Sequence, residues 1–230
     1  MHGLESGPGG TKHRVLAALP AVERADCPAM DTRRAPWSNR FVSAAAVAAA
    51  AGIGGAAAAA TLLAAPAAAA AALVSVACVA VGAGGAILCL RRALRDIVDR
   101  GVAVQTGVIR AAAAAGRPYD VVVASSFGAA VAGRCIETGV WCGPTLLLAP
   151  AGARVARLAG TPAPDLLRHA QGHVNVVHGM HDVTVPLADS AALVGTRHCL
   201  LVVDDDHRLR ESFQRNAAQW VLDTAAARVL

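Results

Sequence analysis

Apolar and polar positions divide the chain into three zones. Residues 1–40 are mixed and rich in turn formers. Phe41 to Leu90 contains no charged residue at all. Beyond that block, short apolar runs alternate with stretches of helical period.

In the first zone, residues 3–10 read as a glycine-proline loop and residues 11–19 as a short helix closed by Pro20. A short strand is expected near 22–28, and residues 31–40 are polar and arginine-bearing. In the third zone, Ile97, Val104, Val108 and Ile109 partly repeat at helical spacing, which predicts a helix over 91–115. Gly116-Arg117-Pro118 ends it. Strands are then expected at 119–124, 144–149, 173–178 and 198–203. Helices are expected at 127–138, near 151–171, near 188–194 and from about 208 onward. Continuous apolar runs alternating with helices imply a parallel sheet covered on both faces. The fold class is therefore α/β, in three layers.

The uncharged block carries Pro66 near its middle. Each half is long enough to cross a bilayer, whose core needs roughly 20 helical residues. The half running from Leu73 to Leu90 has the stronger drive to insert, because the first half is mostly alanine and glycine. Arg33, Arg34 and Arg40 precede the block, and Arg91, Arg92 and Arg95 follow it. Under the positive-inside rule both flanks face the cytoplasm, which makes the block a helical hairpin. An alanine-rich low-complexity insert that enters no membrane, or a mistranslated intron of a GC-rich gene, is the alternative. The expected organisation is an α/β domain of residues 1–40 and 91–230, interrupted by a hydrophobic insertion at 41–90. It is membrane-associated with the α/β domain on the cytoplasmic side, or cytoplasmic if the insertion enters no membrane.

Composition adds exclusions. The chain is 55% hydrophobic but only 3% aromatic, because the excess is alanine. Its formal charge of +5 comes without a basic run interleaved with aromatics, so no nucleic-acid partner is expected. Six cysteines with no C-x-x-C spacing read as free thiols rather than a zinc or disulfide framework. The opening residues lack the charged and apolar regions of a secretory signal.

The turn Ala124-Ser125-Ser126-Phe127-Gly128 joins a strand to a helix, where a nucleophile elbow would sit. Strand and helix nearly touch at such a turn, so the residues two before and two after the nucleophile must be small. Ser126 has Ala124 and Gly128 there, whereas Ser125 has Val123 and Phe127. Ser126 is the candidate nucleophile. Asp182 and His207 each follow the carboxyl end of a later expected strand, in the chain order serine, acid, histidine. The carboxyl edge of a parallel sheet is where such folds bind ligands. Ser126 would attack a carbonyl, His207 would carry its proton, and Asp182 would orient the imidazole.

Each candidate has a blander alternative. Asp182 could cap a turn before Pro186, His207 could be a surface histidine, and Asp204, Asp205 or Asp206 could supply the acid. His178 and His181 have an H-x-x-H spacing but no further ligand in view, so no metal is expected. For an oxyanion hole, the N–H of Phe127 is one expected donor and that of Leu4, in His2-Gly3-Leu4, is the other.

The segments His2-Gly3-Leu4-Glu5-Ser6-Gly7-Pro8, Ser125-Ser126-Phe127-Gly128, Gly143 through Pro150, His178-Gly179-Met180-His181-Asp182 and Asp206-His207-Arg208-Leu209 resemble small, cap-poor α/β-hydrolases of bacteria and algae, similar to short bacterial esterases. The resemblance covers about residues 1–36 and 91–225. It implies a serine hydrolase that cleaves a small-molecule ester or thioester without a cofactor. A short connection between strands 144–149 and 173–178 implies a minimal lid. Two departures stand out: the strand that should lead into the His-Gly loop and lie beside the nucleophile strand is absent, as a start codon assigned too late would explain, and the hydrophobic block interrupts the chain. They keep open a catalytically silent α/β-hydrolase-fold scaffold, tethered to a membrane.

Overall fold

The computed structural model describes residues 10–28, 40–62 and 68–227. Contacts group the chain into two compact units, one of Arg34–Ile97 and the other of Met1–Arg33 with Val98–Leu230. In chain order the helices and strands are α1 (Thr11–Ala17), α2 (Arg40–Leu62), α3 (Ala68–Ala114), β1 (Val122–Ser125), α4 (Gly128–Glu137), β2 (Thr145–Leu148), α5 (Gly152–Ala159), α6 (Leu166–His169), β3 (Val174–Gly179), α7 (Leu187–Val194), β4 (Cys199–Val203) and α8 (Arg210–Ala225).

The larger unit is built on a four-stranded sheet in the order β1-β2-β3-β4 with every pairing parallel. Because side chains alternate across a strand, Leu146, Leu148 and Val177 share one face while Leu147 and Val176 point to the other. All five are buried, so the sheet is covered on both sides. On the first face they meet Leu209, Phe213, Ala217, Trp220 and Val221 at and within α8, with Val15 and Leu16 of α1 packed alongside. Burying a large aliphatic or aromatic side chain contributes about 2 kcal/mol, so this cluster anchors α8 to the sheet. A parallel α/β architecture is therefore present.

Three expectations need correction. Residues 22–28 form no strand. They run as a loop held from the side: the Arg24 guanidinium lies 4.6 Å over the Tyr119 ring and pairs with Asp26 at 3.0 Å, while the Tyr119 hydroxyl donates to Asp26. β1 accordingly ends the sheet, with no further strand beside it among the described residues. The helix expected over 91–115 does not begin there, because the apolar block and the following residues form one continuous α3. Arg91, Arg92, Ala93, Leu94 and Arg95 are strong helix formers and give the helix no reason to stop. It stops instead at Gly116, whose φ of +69° suits a left-handed cap. The expected single helix near 151–171 is two short ones, α5 and α6, with Pro162 and Pro164 between them.

In the smaller unit α2 runs alongside the first part of α3. A Cβ on Gly82 would lie 2.7 Å from the Gly52 Cα and 2.8 Å from the Ala48 carbonyl oxygen. The backbones approach this closely only because both positions lack side chains. Pairing of Gly52 with Gly82 and of Ser75 with Ala56 shows that the two helices run in opposite directions, as a hairpin does. Pro66 lies outside the described residues. One helix, Ala72–Ala114, is long and apolar enough to cross a membrane; Val42–Ala58 is a shorter apolar helix. Large apolar side chains such as Leu73, Val76, Val81 and Leu88 are exposed.

Candidate active site

β1 ends at Ser125 and α4 begins at Gly128, so two residues make the whole turn. Ser126 adopts φ +52°, a left-handed conformation that non-glycine residues rarely take. Its N–H donates to the Leu148 carbonyl at 2.9 Å, and its own carbonyl accepts from Ala129 and Ala151. Held at both ends, the strained residue presents its hydroxyl above the carboxyl edge of the sheet. Ala124 and Gly128 are buried where the strand meets the helix.

The Ser126 hydroxyl lies 2.8 Å from Nε2 of His207. On the other side of that ring, Nδ1 lies 2.7 Å from Oδ2 of Asp182. Hydroxyl, imidazole and carboxylate thus stand in one hydrogen-bonded series, drawn from the ends of β1, β4 and β3. Asp182 is fully buried and His207 mostly so. The other carboxylate oxygen of Asp182 accepts the N–H groups of Thr184 and Val185 at 2.7 and 2.8 Å. Asp182 caps a turn and also faces the imidazole, so both roles foreseen for it are filled by one side chain.

The loop bearing His207 is laced to the end of β3. Met180 donates to the Val203 carbonyl and His181 to that of Asp205. A Cβ on Gly179 would lie 2.4 and 2.5 Å from the carbonyl oxygens of Asp205 and Asp206, so only glycine admits this approach. The alternative acids are occupied elsewhere. Asp204 pairs with His181 at 2.8 Å, Asp205 accepts the N–H groups of Asp206 and Ser212, and Asp206 accepts that of Arg208. Burial raises the Asp205 pKa, but these N–H groups outweigh it and hold the carboxyl below its usual range.

Two residues at the site escaped sequence reasoning as participants. His178 is completely buried; its Nδ1 lies 2.7 Å from the Ser190 hydroxyl, and its Nε2 3.1 Å from the Val185 carbonyl. A carbonyl only accepts, so the proton sits on Nε2 and Nδ1 accepts from Ser190. Burial pushes its pKa below the ordinary histidine value, against the attraction of Asp182. The H-x-x-H pair is therefore split, with His178 inside and His181 exposed, and the described residues hold no cluster suited to a metal ion. The second residue is Lys12, whose Nζ donates to the Ser125 hydroxyl at 2.8 Å. A lysine just after the glycine-rich run was the available signal.

Of the oxyanion candidates, Phe127 is buried at the start of α4, and its N–H has no acceptor among the described residues. The helix dipole favours negative charge at that point. Leu4 lies outside the described residues. A cavity of about 960 Å³ opens beside the series, with Ser126, His207, Leu148 and Val123 in its wall.

Comparisons with protein-family models, with curated proteins and with solved structures return no match for this chain.

Proposed function

We propose that this chain is a serine hydrolase of the α/β-hydrolase type, cleaving a carboxylic ester or thioester through an acyl-enzyme. The observation that carries the reading is the unbroken series Ser126–His207–Asp182, with hydrogen-bond distances of 2.8 and 2.7 Å. Nε2 of His207 accepts the Ser126 proton as Oγ attacks the carbonyl carbon. The carbonyl oxygen gains charge, which the Phe127 N–H stabilises, with Leu4 as the second donor. His207 then returns the proton to the leaving alcohol or thiol. Water, deprotonated by the same imidazole, attacks the acyl-serine and releases the acid. Asp182 holds the ring through Nδ1 and stabilises its charged form. None of these steps calls for a cofactor or a metal.

An exposed apolar helix of sufficient length supports membrane association by an inserted hairpin, with the α/β unit on the cytoplasmic side. A catalytically silent scaffold is the second reading, drawn from the terminal position of β1 in the sheet. A fluorophosphonate probe separates the two. The enzyme reading expects covalent labelling of the folded wild type and none of Ser126→Ala. A folded wild type that resists the probe leaves only the scaffold.

A further inference from the structure

The cavity beside Ser126 holds hydrogen-bond donors that no described residue uses. An ammonium has three donors and no acceptor. Lys12 spends one on the Ser125 oxygen at 2.8 Å, and no other partner takes the remaining two among the described residues. Accepting that bond leaves the Ser125 hydroxyl proton uncommitted. Gln105, from α3, is 95% buried in the wall of the same cavity, but its Nε2, which has no hydrogen-bond partner among the described residues, is closed off from solvent and does not face the space. Two side chains, Lys12 and Ser125, thus offer N–H and O–H groups to one space.

Charge sharpens the point. Removing an ammonium from water is costly unless an anion meets it. Lys12 makes no ion pair with any described carboxylate. Asp205 and Asp206 attract it only from a distance, and both are engaged by backbone N–H groups. Burial therefore dominates and pulls the Lys12 pKa down to about 8. Asp26, also in the cavity wall, is held by Arg24 and Tyr119. Arg208 adds a positive charge at the rim.

We propose that Lys12 and Ser125 form an anion subsite in the cavity, which receives a carboxylate or phosphate carried by the substrate. Consecutive Cα atoms are about 3.8 Å apart, so an anion on Lys12 lies no more than about 14 Å from the Ser126 hydroxyl. A short dicarboxylic half-ester or a phosphorylated alcohol falls within that reach. The assignment of the anion to a substrate rests on the hydrolase reading; the capacity to bind an anion does not.

The test is protection of Ser126 from a fluorophosphonate probe by succinate and, in a separate arm, by inorganic phosphate. Sodium chloride of equal ionic strength and neutral succinamide serve as references. One or both anions should slow labelling of the wild type, and the effective one identifies the anion's chemistry. In Lys12→Met the protecting concentration should rise at least tenfold. Lys12→Arg should retain protection. Raising the pH from 7 through 8 to 9.5 should abolish protection in the wild type but not in Lys12→Arg, whose guanidinium stays charged. Each comparison is internal to one protein, so partial loss of folded material cancels. Protection absent from a labelled wild type, or undiminished in Lys12→Met, overturns the subsite. If the wild type takes no label, the hydrolase reading fails by itself. The subsite is then read from the thermal shift on adding succinate or phosphate: a shift lost in Lys12→Met supports it, and no shift overturns it.

Discussion

Nε2 of the fully buried His178 lies 3.4 Å from Oδ2 of Asp182, the same oxygen that faces Nδ1 of His207 at 2.7 Å. His178 therefore backs the carboxylate from inside while joining the Val185 carbonyl to the Ser190 hydroxyl of α7. Replacing it with phenylalanine leaves both groups buried without partners, at about 1–3 kcal/mol apiece. His178→Phe should lower stability in urea melts by at least about 2 kcal/mol. It should also lower ester turnover by more than the loss of folded protein explains, because the Asp182 turn loses its brace. A variant as stable and active as the wild type would remove His178 from this role.

The same ring makes stability depend on pH. Its folded-state pKa lies below the unfolded value of 6.5. Below that value the unfolded chain binds more protons than the folded one, so stability falls as pH drops from 6.5 toward the folded pKa. Above it the contribution is fully present. Urea melts at pH 7.5 and 5.5 should show a loss in the wild type that is smaller in His178→Phe. Equal losses in the two proteins would assign the pH dependence to other groups.

Ser126 carries strain that the proposed chemistry requires and stability does not. Holding a non-glycine residue at φ +52° costs about 1 kcal/mol. Ser126→Gly should therefore be more stable than Ser126→Ala by about that amount, since alanine keeps the Cβ while both lose the hydroxyl. Both should be inert toward esters. Thermal unfolding of the pair is the check, and an alanine variant equal to or above the glycine variant contradicts the strain assignment.

Gly179 sets the distance between the loops bearing Asp182 and His207. An added methyl would meet two backbone carbonyl oxygens at 2.4 and 2.5 Å, and neither can rotate away. Gly179→Ala should push the Asp205–Asp206 segment outward and carry His207 with it. A displacement of about 1 Å in a reacting group lowers rates by roughly 100-fold. The expected result is a drop of that order in kcat/KM at modest cost in stability. Wild-type turnover by Gly179→Ala would mean that the loop has another way to accommodate the methyl.

What could be read from the sequence follows the range of the forces involved. The strands near 122, 145, 174 and 199 were visible because each is a continuous apolar run, and in β2 and β3 burial on both faces leaves no alternation to misread. Ser126 was separable from Ser125 because small neighbours are a local steric demand. Residues 22–28 misled because their conformation is set by Tyr119, a partner more than ninety positions away. His178 was hidden for the same reason: its partners Val185 and Ser190 are placed by the turn that Asp182 builds, so the H-x-x-H spacing gave no sign of a brace. The uninterrupted α3 was missed because the change from apolar to charged residues marks a change of environment, which a helix can cross without breaking.

The bond between Lys12 and Ser125 constrains how the hydrophobic block meets a membrane. Those residues are 113 positions apart, flank the block in sequence, and are joined at 2.8 Å within one compact unit. The chain that leaves that unit must return to it, so the intervening segment crosses a bilayer an even number of times or not at all. One crossing by α3 alone would put Lys12 and Ser125 on opposite faces and break their contact. Two positions report on this, Cys142, which is exposed, and a cysteine introduced at the exposed Arg14. In sealed vesicles, a membrane-impermeant maleimide should reach Cys142 in the wild type and both sites in Arg14→Cys from the same side. Labelling of the two from opposite sides would show that residues 12 and 125 cannot share a site in the membrane-bound protein.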